Sequence, residues 1–153
     1  VSRKQLEMTL DVMANSLVYW VQDLWRGGFL GSGSKIYAMT SEGSTRVVPS
    51  YGVVSSAKAA LESHTRQLAM ELARLGTGVT ANTIRAGVTR TPALMKIPEH
   101  DAIIEAATKR NPTGRMTTPQ DVANALLALS GEGTGFINGE IIGVDGGEFV
   151  TGS

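Results

Sequence analysis

Apolar residues recur at helical spacing in three stretches of the chain. The first covers residues 2–26, and the serine that opens it can cap a helix. The second covers 51–76, with Ser50 as its expected cap, and the third covers 119–129, preceded by the capping residue Thr118. A proline at the first position of the third stretch suits a helix start. The pattern therefore predicts three amphipathic helices.

Short apolar runs typical of strands lie between and after these helices, at 35–40, 78–84 and 139–147. Strands that alternate with helices through short loops favour an α/β fold with a parallel sheet and right-handed crossovers. Residues 93–113 are irregular and mostly helical, and they follow a strand end. We expect this segment to form a substrate lobe, the alternative being a plain pair of surface helices.

The glycine-rich loop at 27–33 superficially resembles a phosphate-binding loop. A dinucleotide-binding loop follows a strand and opens a helix, whereas this loop follows a helix and precedes a strand. We therefore predict a helix C-cap and a turn here.

Composition narrows the classes of function. The 153 residues suit one domain with a real core, and no repeat or low-complexity linker interrupts them. Fourteen lysines and arginines balance fourteen acidic residues, so no basic surface points to nucleic acid. The chain has no cysteine, no signal peptide and no apolar run long enough to span a membrane. We expect a cytoplasmic protein with no membrane association and no metal site.

Tyr51 and Lys58 are the strongest candidates for chemistry. They stand seven positions apart at the start of the second helix, so their side chains leave the same helix face about 10 Å apart along the axis. Side chains on a helix lean toward its N-terminus, which brings Lys58 back toward the phenol. An ammonium near a phenol assists proton transfer from it. Spacing alone also fits a packed ring and a solvated charge.

Polar residues follow two of the predicted strands. Thr40 and Ser41 end the first strand, and the loop after the second contains Gly87, Thr89 and Thr91. Functional crevices of open α/β sheets lie beyond the carboxyl ends of the strands, which is where these residues fall. The alternative for the first group is an ordinary serine-rich turn.

The ordered set of these residues resembles the C-terminal half of a short-chain dehydrogenase/reductase. The set comprises Asn15, Thr40-Ser41, Tyr51 and Lys58, residues 86–91, 114–123 and 144–147, and it covers essentially the whole chain. The commoner branch of that family has its tyrosine four residues before the lysine, where this chain has Val54. Six residues between Tyr51 and Lys58 instead resemble the divergent branch of enoyl-acyl-carrier-protein reductases.

This resemblance implies a Rossmann-like, doubly wound parallel sheet and a role for each candidate in a reduction that uses NADPH or NADH. Tyr51 would stabilise the oxygen of the substrate, Lys58 would hold the nicotinamide ribose, and Ser41 would donate a further hydrogen bond. Asn15 matches a structural or proton-relay asparagine of the family.

The resemblance implies cofactor contacts for four more positions. Thr40 would lie against the cofactor and the Thr89 backbone would meet the carboxamide. The Thr91 hydroxyl would meet the phosphates, and Gly87 would allow close approach. The predicted substrate is an enoyl thioester carried by acyl carrier protein or coenzyme A, as in fatty-acid synthesis.

Two other interpretations stay open. A carbonyl or alcohol oxidoreductase of the same family is one, because Ser41 stands where many enoyl reductases have a second tyrosine. A non-catalytic relative that only binds or oligomerises is the other. The helices at 3–25 and 51–75 resemble the family's dimerising helices, which implies a homo-oligomer, often a tetramer. The half with the glycine-rich pyrophosphate turn is not among residues 1–153, so we expect this chain alone to be inactive.

Overall fold

A computed structural model describes residues 1–92, 94–96, 98 and 100–151. Five α-helices and three strands are defined within these ranges, together with a π-helical turn at Asp11–Asn15 and short 3-10 turns at Glu42–Ser44 and Leu94–Lys96. The helices are α1 (Arg3–Leu10), α2 (Ser16–Arg26), α3 (Gly52–Arg74), α4 (His100–Arg110) and α5 (Pro119–Leu129); the strands are β1 (Lys35–Thr40), β2 (Thr80–Ala86) and β3 (Ile141–Val144).

The three strands form one parallel sheet in the order β1-β2-β3, which confirms the predicted α/β class. β1 has the predicted bounds, whereas β2 lies two residues further along the chain than expected. The chain divides into two compact units. The first contains Val1–Ile84 and Glu132–Ile142; the second contains Arg85–Gly131 and the chain from Gly143 onward.

The core of the first unit lies where α2 and α3 pack beside the sheet. Helix α3 buries a stripe of apolar residues, and strand β2 is buried over its first five residues. Ile84 is the largest fully buried side chain of this strand. The main cluster consists of Val21, Leu68, Ala69, Leu72, Val79 and Ala81. A smaller cluster of Ala14, Ala38 and Leu61 lies beside the last residues of β1.

The ends of the first helical stretch follow the sequence signals. Ser2 caps α1 in a reciprocal capping box with Gln5. At the other end, the amide of Gly28 donates to Trp25 at 3.1 Å and that of Phe29 donates to Leu24 at 2.9 Å. This is a Schellman arrangement with Gly28 at a φ of 72°, so the predicted C-cap is confirmed.

The middle of that stretch differs from an uninterrupted α-helix. Residues Asp11–Asn15 form a π-helical turn between α1 and α2. Such a turn holds one residue more than an α-turn, so the apolar stripe is not continuous across it. Several large apolar side chains of the repeating pattern are exposed on α1 and α2, among them Leu6, Trp20 and Leu24.

The start of α3 also corrects the prediction. Ser50 does not cap the helix; its φ is 60°, in the left-handed region, and Tyr51 occupies the N-cap position without a side-chain cap bond. A non-glycine residue in this region is uncommon and stores local strain. The strain lies immediately before the residue predicted to do the chemistry.

In the second unit, α5 begins and ends at the predicted residues. Thr118 caps it in a reciprocal capping box with Asp121, and Pro119 is the first helical residue. Arg115 binds Asp121 with two hydrogen bonds of 2.7 and 2.9 Å. The predicted lobe at 93–113 contains the 3-10 turn and α4, while its Ala93, Ile97 and Glu99 lie outside the described residues.

Candidate active site

The last residues of β1 are bound to the first two turns of α3. The Ser41 Oγ lies 3.2 Å from the Tyr51 Oη, so the two hydroxyl groups share a hydrogen bond. The Lys58 Nζ donates to the Met39 carbonyl at 2.7 Å. The structure therefore brings Ser41, Tyr51 and Lys58 to one strand end, as their order in the sequence predicted.

The Tyr51 ring is positioned by Gly43. A Cβ added at Gly43 would lie 2.5 Å from two carbon atoms of the ring, so only glycine allows the ring to lie here. The Ser55 hydroxyl donates to the Gly43 carbonyl and fixes the backbone of that turn to α3. The phenol is therefore held at both its edge and its hydroxyl.

Lys58 is half-buried, and its environment changes its acidity. Burial lowers the pKa of its ammonium from the usual value, because a charged group loses hydration. The ammonium keeps one strong acceptor in the Met39 carbonyl. It thus supplies positive charge at the same strand end as the phenol.

Thr40 is buried and its side chain faces the helix. Its hydroxyl donates to the Glu62 carboxylate at 2.6 Å, and the exposed fractions of the two residues are 6% and 4%. Glu62 lies one helical turn beyond Lys58 and was not predicted as a site residue. Its position on the helix face of Tyr51 and Lys58 was the available signal. The contact of Thr40 with a cofactor stays a prediction.

Asn15 lies in the π-helical turn and bonds to a histidine of α3. Its Oδ1 is 3.1 Å from the His64 Nε2. π-Turns occur often at functional sites, and this one packs on the helix that carries Tyr51. The proposed relay role of Asn15 stays a prediction, because the bond described for its side chain is to His64.

The loop after β2, in the second unit, is tightly packed around Gly87. A Cβ added there would overlap the Thr117 Oγ1 and lie 2.7 Å from the Glu148 Oε2. The Gly87 amide donates to the Val144 carbonyl at 3.1 Å, and Thr89 forms a parallel bridge with Thr117. Gly87 is therefore required for packing within this unit.

The two predicted threonines stabilise the loop locally. The Thr89 hydroxyl donates to the Gly87 carbonyl at 2.9 Å, and the Thr91 hydroxyl accepts from the Leu94 amide at 3.2 Å. A hydroxyl that accepts one bond still has its proton to donate. Thr91 can thus begin the 3-10 turn and still donate to an anionic group.

A pocket of about 360 Å³ lies in the second unit, lined by Arg115, Thr117 and the turn at 143–147. The bidentate partner Asp121 already compensates the charge of Arg115. The guanidinium also lowers the pKa of Asp121 well below its usual range, together with bonds from Thr118. We assign this ion pair a structural role at the start of α5.

Comparison with known proteins identifies the family. The family model for enoyl-(acyl carrier protein) reductase matches residues 1–148. The chain belongs to this family. It is thereby a short-chain dehydrogenase/reductase, as the residue pattern indicated.

Individual members of the enoyl reductase family are similar over nearly the whole chain. The NADH-dependent enoyl-[acyl-carrier-protein] reductase FabI of Aquifex aeolicus is 33% identical over 151 residues, which are 99% of this chain and 55% of the relative. The crystal structure of the Aquifex aeolicus enzyme superposes with a TM-score of 0.90 at 32% identity, covering 100% of this chain and 58% of that one.

A third comparison involves a bound nucleotide. The Bacillus cereus enoyl-acyl carrier protein reductase, solved with NADP+ and an indole naphthyridinone, gives a TM-score of 0.90 at 29% identity, covering 99% of this chain and 58% of that one. These similarities confirm the Rossmann-like fold. The chain spans about half the length of the relatives it matches.

A membrane-spanning helix and a metal cluster are both absent from the described residues. No helix there is long and apolar enough to cross a membrane. Within the same residues, no group of three or more histidine and acidic side chains is arranged to hold a metal ion.

Proposed function

We propose that this chain carries the catalytic residues of a nicotinamide-dependent reductase that saturates the double bond of an enoyl thioester. The observation that carries the proposal is the cluster at the end of β1, where the Tyr51 Oη meets the Ser41 Oγ and the Lys58 ammonium binds the neighbouring carbonyl. Membership in the enoyl reductase family supports the reaction class.

The residues present suit a nicotinamide nucleotide. Lys58 offers an ammonium that burial has partly stripped of water, which favours binding to ribose hydroxyls. In the second unit, Gly87 carries no side chain and Thr91 retains a hydroxyl proton. We propose that Lys58 and Tyr51 hold the ribose, and that Thr40, Gly87, Thr89 and Thr91 are also cofactor-binding residues. When bound, the reduced cofactor supplies hydride.

In the proposed reaction, the protein stabilises the negative charge that develops on the thioester oxygen of the substrate. When the β-carbon of an enoyl thioester is reduced, negative charge develops on the thioester oxygen. Tyr51 donates a hydrogen bond to that oxygen, and Ser41 orients the phenol. The ammonium of Lys58 favours this developing charge. A proposed relay through Asn15 would deliver protons from its side of α3.

Substrate selection is proposed to rest with the segment at 93–113. Among its described residues, Ile103 and Ile104 are half-buried on α4 and Met95 is partly exposed. Apolar side chains of this kind suit an acyl chain. Acyl carrier protein and coenzyme A are the candidate carriers, and NADH and NADPH the candidate cofactors.

A homo-oligomer, often a tetramer in this family, is also proposed. Large apolar side chains are exposed along α1 and α2, including Tyr19, Trp20 and Trp25. Exposed aromatic residues are typical of interfaces between subunits. Light scattering that gave the mass of one subunit would contradict this assembly.

The test uses the protein expressed from its complete reading frame. Crotonyl thioesters of coenzyme A and acyl carrier protein are supplied with NADH or NADPH, and loss of nicotinamide absorbance is followed. Tyr51→Phe should lower kcat by roughly 100-fold or more, because general acid catalysis contributes about 10²–10⁴-fold. Tyr37→Phe, at a half-buried tyrosine on β1, is the matched control. Full activity of Tyr51→Phe would overturn the proposal.

A carbonyl reductase is the second candidate, favoured by the same Ser41–Tyr51 contact. Two hydroxyls that share a hydrogen bond can both bind a ketone oxygen. Reduction of acetoacetyl thioesters or simple ketones, with crotonyl thioesters left unchanged, would establish this alternative. A protein that reduces neither class, and in which Tyr51→Phe has no effect, would be a non-catalytic relative.

A further inference from the structure

Glu148 is a buried carboxylate to which the sequence assigned no role. Its exposed fraction is 2%, and it follows the Asp145-Gly146-Gly147 turn after β3. The Oε1 atom accepts from the Arg110 guanidinium and the Oε2 atom accepts from the Val88 amide at 3.2 Å. One carboxylate thus joins the end of α4 to the loop after β2, all within the second unit.

Neutral hydrogen bonds already fasten this C-terminal segment to the end of α4. The Asn111 Nδ2 donates to the Asp145 carbonyl at 2.8 Å. The Thr151 hydroxyl is 3.0 Å from the Arg110 carbonyl and 2.9 Å from the Glu148 carbonyl. Glu148 is therefore not needed merely to hold the segment in place. What its carboxylate adds is the ion pair with Arg110 and, toward the loop, the bond to Val88.

Val88 stands between Gly87 and Thr89, the residues proposed to approach the nicotinamide. Fixing its amide fixes the peptide plane that joins Gly87 to Val88, and the Oε2 atom packs directly against Gly87. An amide that is partly shielded from water and has lost its acceptor is costly, so the loop would move toward water if the carboxylate were removed. Loop position and carboxylate are therefore linked.

We propose that Glu148 is a positioning residue for the loop 87–91, holding it in the conformation that receives the nicotinamide, with Arg110 compensating the charge this requires. Arg110 belongs to the proposed substrate lobe, so lobe and loop share one carboxylate. The inference rests on the proposed function for the identity of the ligand. The position of the loop itself can be measured without any ligand.

The experiment distinguishes two roles of Glu148: acceptor for the Val88 amide and charged partner of Arg110. It uses the protein expressed from its complete reading frame. The double variants Arg110→Met/Glu148→Gln and Arg110→Met/Glu148→Leu both lack the buried ion pair, and only the first retains an oxygen for the Val88 amide. Glu105→Gln, an exposed carboxylate on α4, is the control. Amide exchange of residues 87–91 is measured by mass spectrometry, and NADH and NADPH binding by titration.

The leucine variant should exchange roughly tenfold faster at 87–91 and bind the cofactor about tenfold more weakly than the glutamine variant, since an unpaired amide costs about that factor. Its thermal stability should match that of the glutamine variant. Equal exchange and equal affinity in two folded variants would overturn the inference. If the leucine variant does not fold, Glu148→Met in the same background replaces it.

Failure of the proposed function gives a different result. A parent protein that binds neither NADH nor NADPH contradicts the nicotinamide assignment. The exchange comparison still decides whether Glu148 positions the loop.

Discussion

The two units hold their candidate site residues in different ways. In the first, the cluster at the end of β1 is joined by hydrogen bonds between residues near in sequence: Ser41 to Tyr51 across ten positions and Met39 to Lys58 across 19. In the second, the loop at Val88 is bound to Glu148 across 60 positions. The first unit can assemble its cluster from one strand, one turn and one helix. The Val88 loop of the second unit depends on the segment that follows β3, which lies much further along the chain.

Each unit also contains a glycine that contacts a site element, and these two glycines give the largest expected effects. Gly43→Ala would push the Tyr51 ring from its place, and a displacement of about 1 Å can cost about 100-fold in kcat.

Gly87→Ala would push the loop away from Thr117 and Glu148. Overpacking of about 1–3 kcal/mol should raise the KM for the cofactor about tenfold. Steady-state kinetics with both substrates varied measures each effect.

The control for this pair is Gly135→Ala, because a Cβ at Gly135 would meet no atom within 4 Å. Its kinetic constants should stay within roughly twofold of the parent. The comparison between the units fails if Gly43→Ala changes only the KM for the cofactor and Gly87→Ala changes only kcat.

A smaller effect is expected from the hydrogen bond that holds Thr40. Glu62→Leu leaves the buried Thr40 hydroxyl without its acceptor, which should lower the free energy of unfolding by about 1–3 kcal/mol. Thr40→Val/Glu62→Leu removes both polar groups and should recover most of that loss. Urea unfolding of the parent and both variants measures it. A double variant no more stable than Glu62→Leu would show that the carboxylate has another role.

The smallest effects concern pH, and the two units should respond at opposite ends of the scale. Burial lowers the pKa of Lys58, so the folded protein releases this proton before the unfolded chain does. Stability relative to Lys58→Met should therefore rise as the pH increases toward the unfolded value near 10.5. Asp121 has a pKa far below its usual value, chiefly because of Arg115. Its contribution is present above about pH 4 and is lost on acidification.

Unfolding free energies of the parent, Lys58→Met and Asp121→Asn, measured from acid to alkaline pH, test this contrast. The difference between parent and Asp121→Asn should shrink only in acid. A Lys58→Met variant whose difference from the parent stays constant up to alkaline pH would contradict the assignment to burial.

Local signals predicted much of the first unit and the ends of most helices. The spacing of Tyr51 and Lys58 on one helix face and the position of Ser41 after a strand led to a cluster that the structure contains. Capping residues fixed the starts of α1 and α5. These features depend on neighbouring residues, whose geometry the helix and the strand prescribe.

Features that depend on distant residues could not be predicted. No sequence pattern near Val88 indicates a contact with Glu148. The sequence alone also does not distinguish a buried glutamate from a solvent-exposed one. Ser50 was an ordinary cap candidate until the turn from β1 to α3 required a φ of 60°. The π-helical turn was not predicted, because the spacing of apolar residues across α1 and α2 also fits one continuous α-helix.

That extra residue has a consequence for how the long helical stretch can change. Each residue turns a helix by about 100°, so the side chains of α1 are rotated by about that angle relative to an unbroken extension of α2. Deletion of one residue within Asp11–Asn15 would convert the π-helical turn to an α-helical one. All side chains of α1 would then rotate about the helix axis, while those of α2 would keep their positions. A single-residue insertion or deletion at this point would therefore change the orientation of the side chains of the N-terminal helix by about 100°.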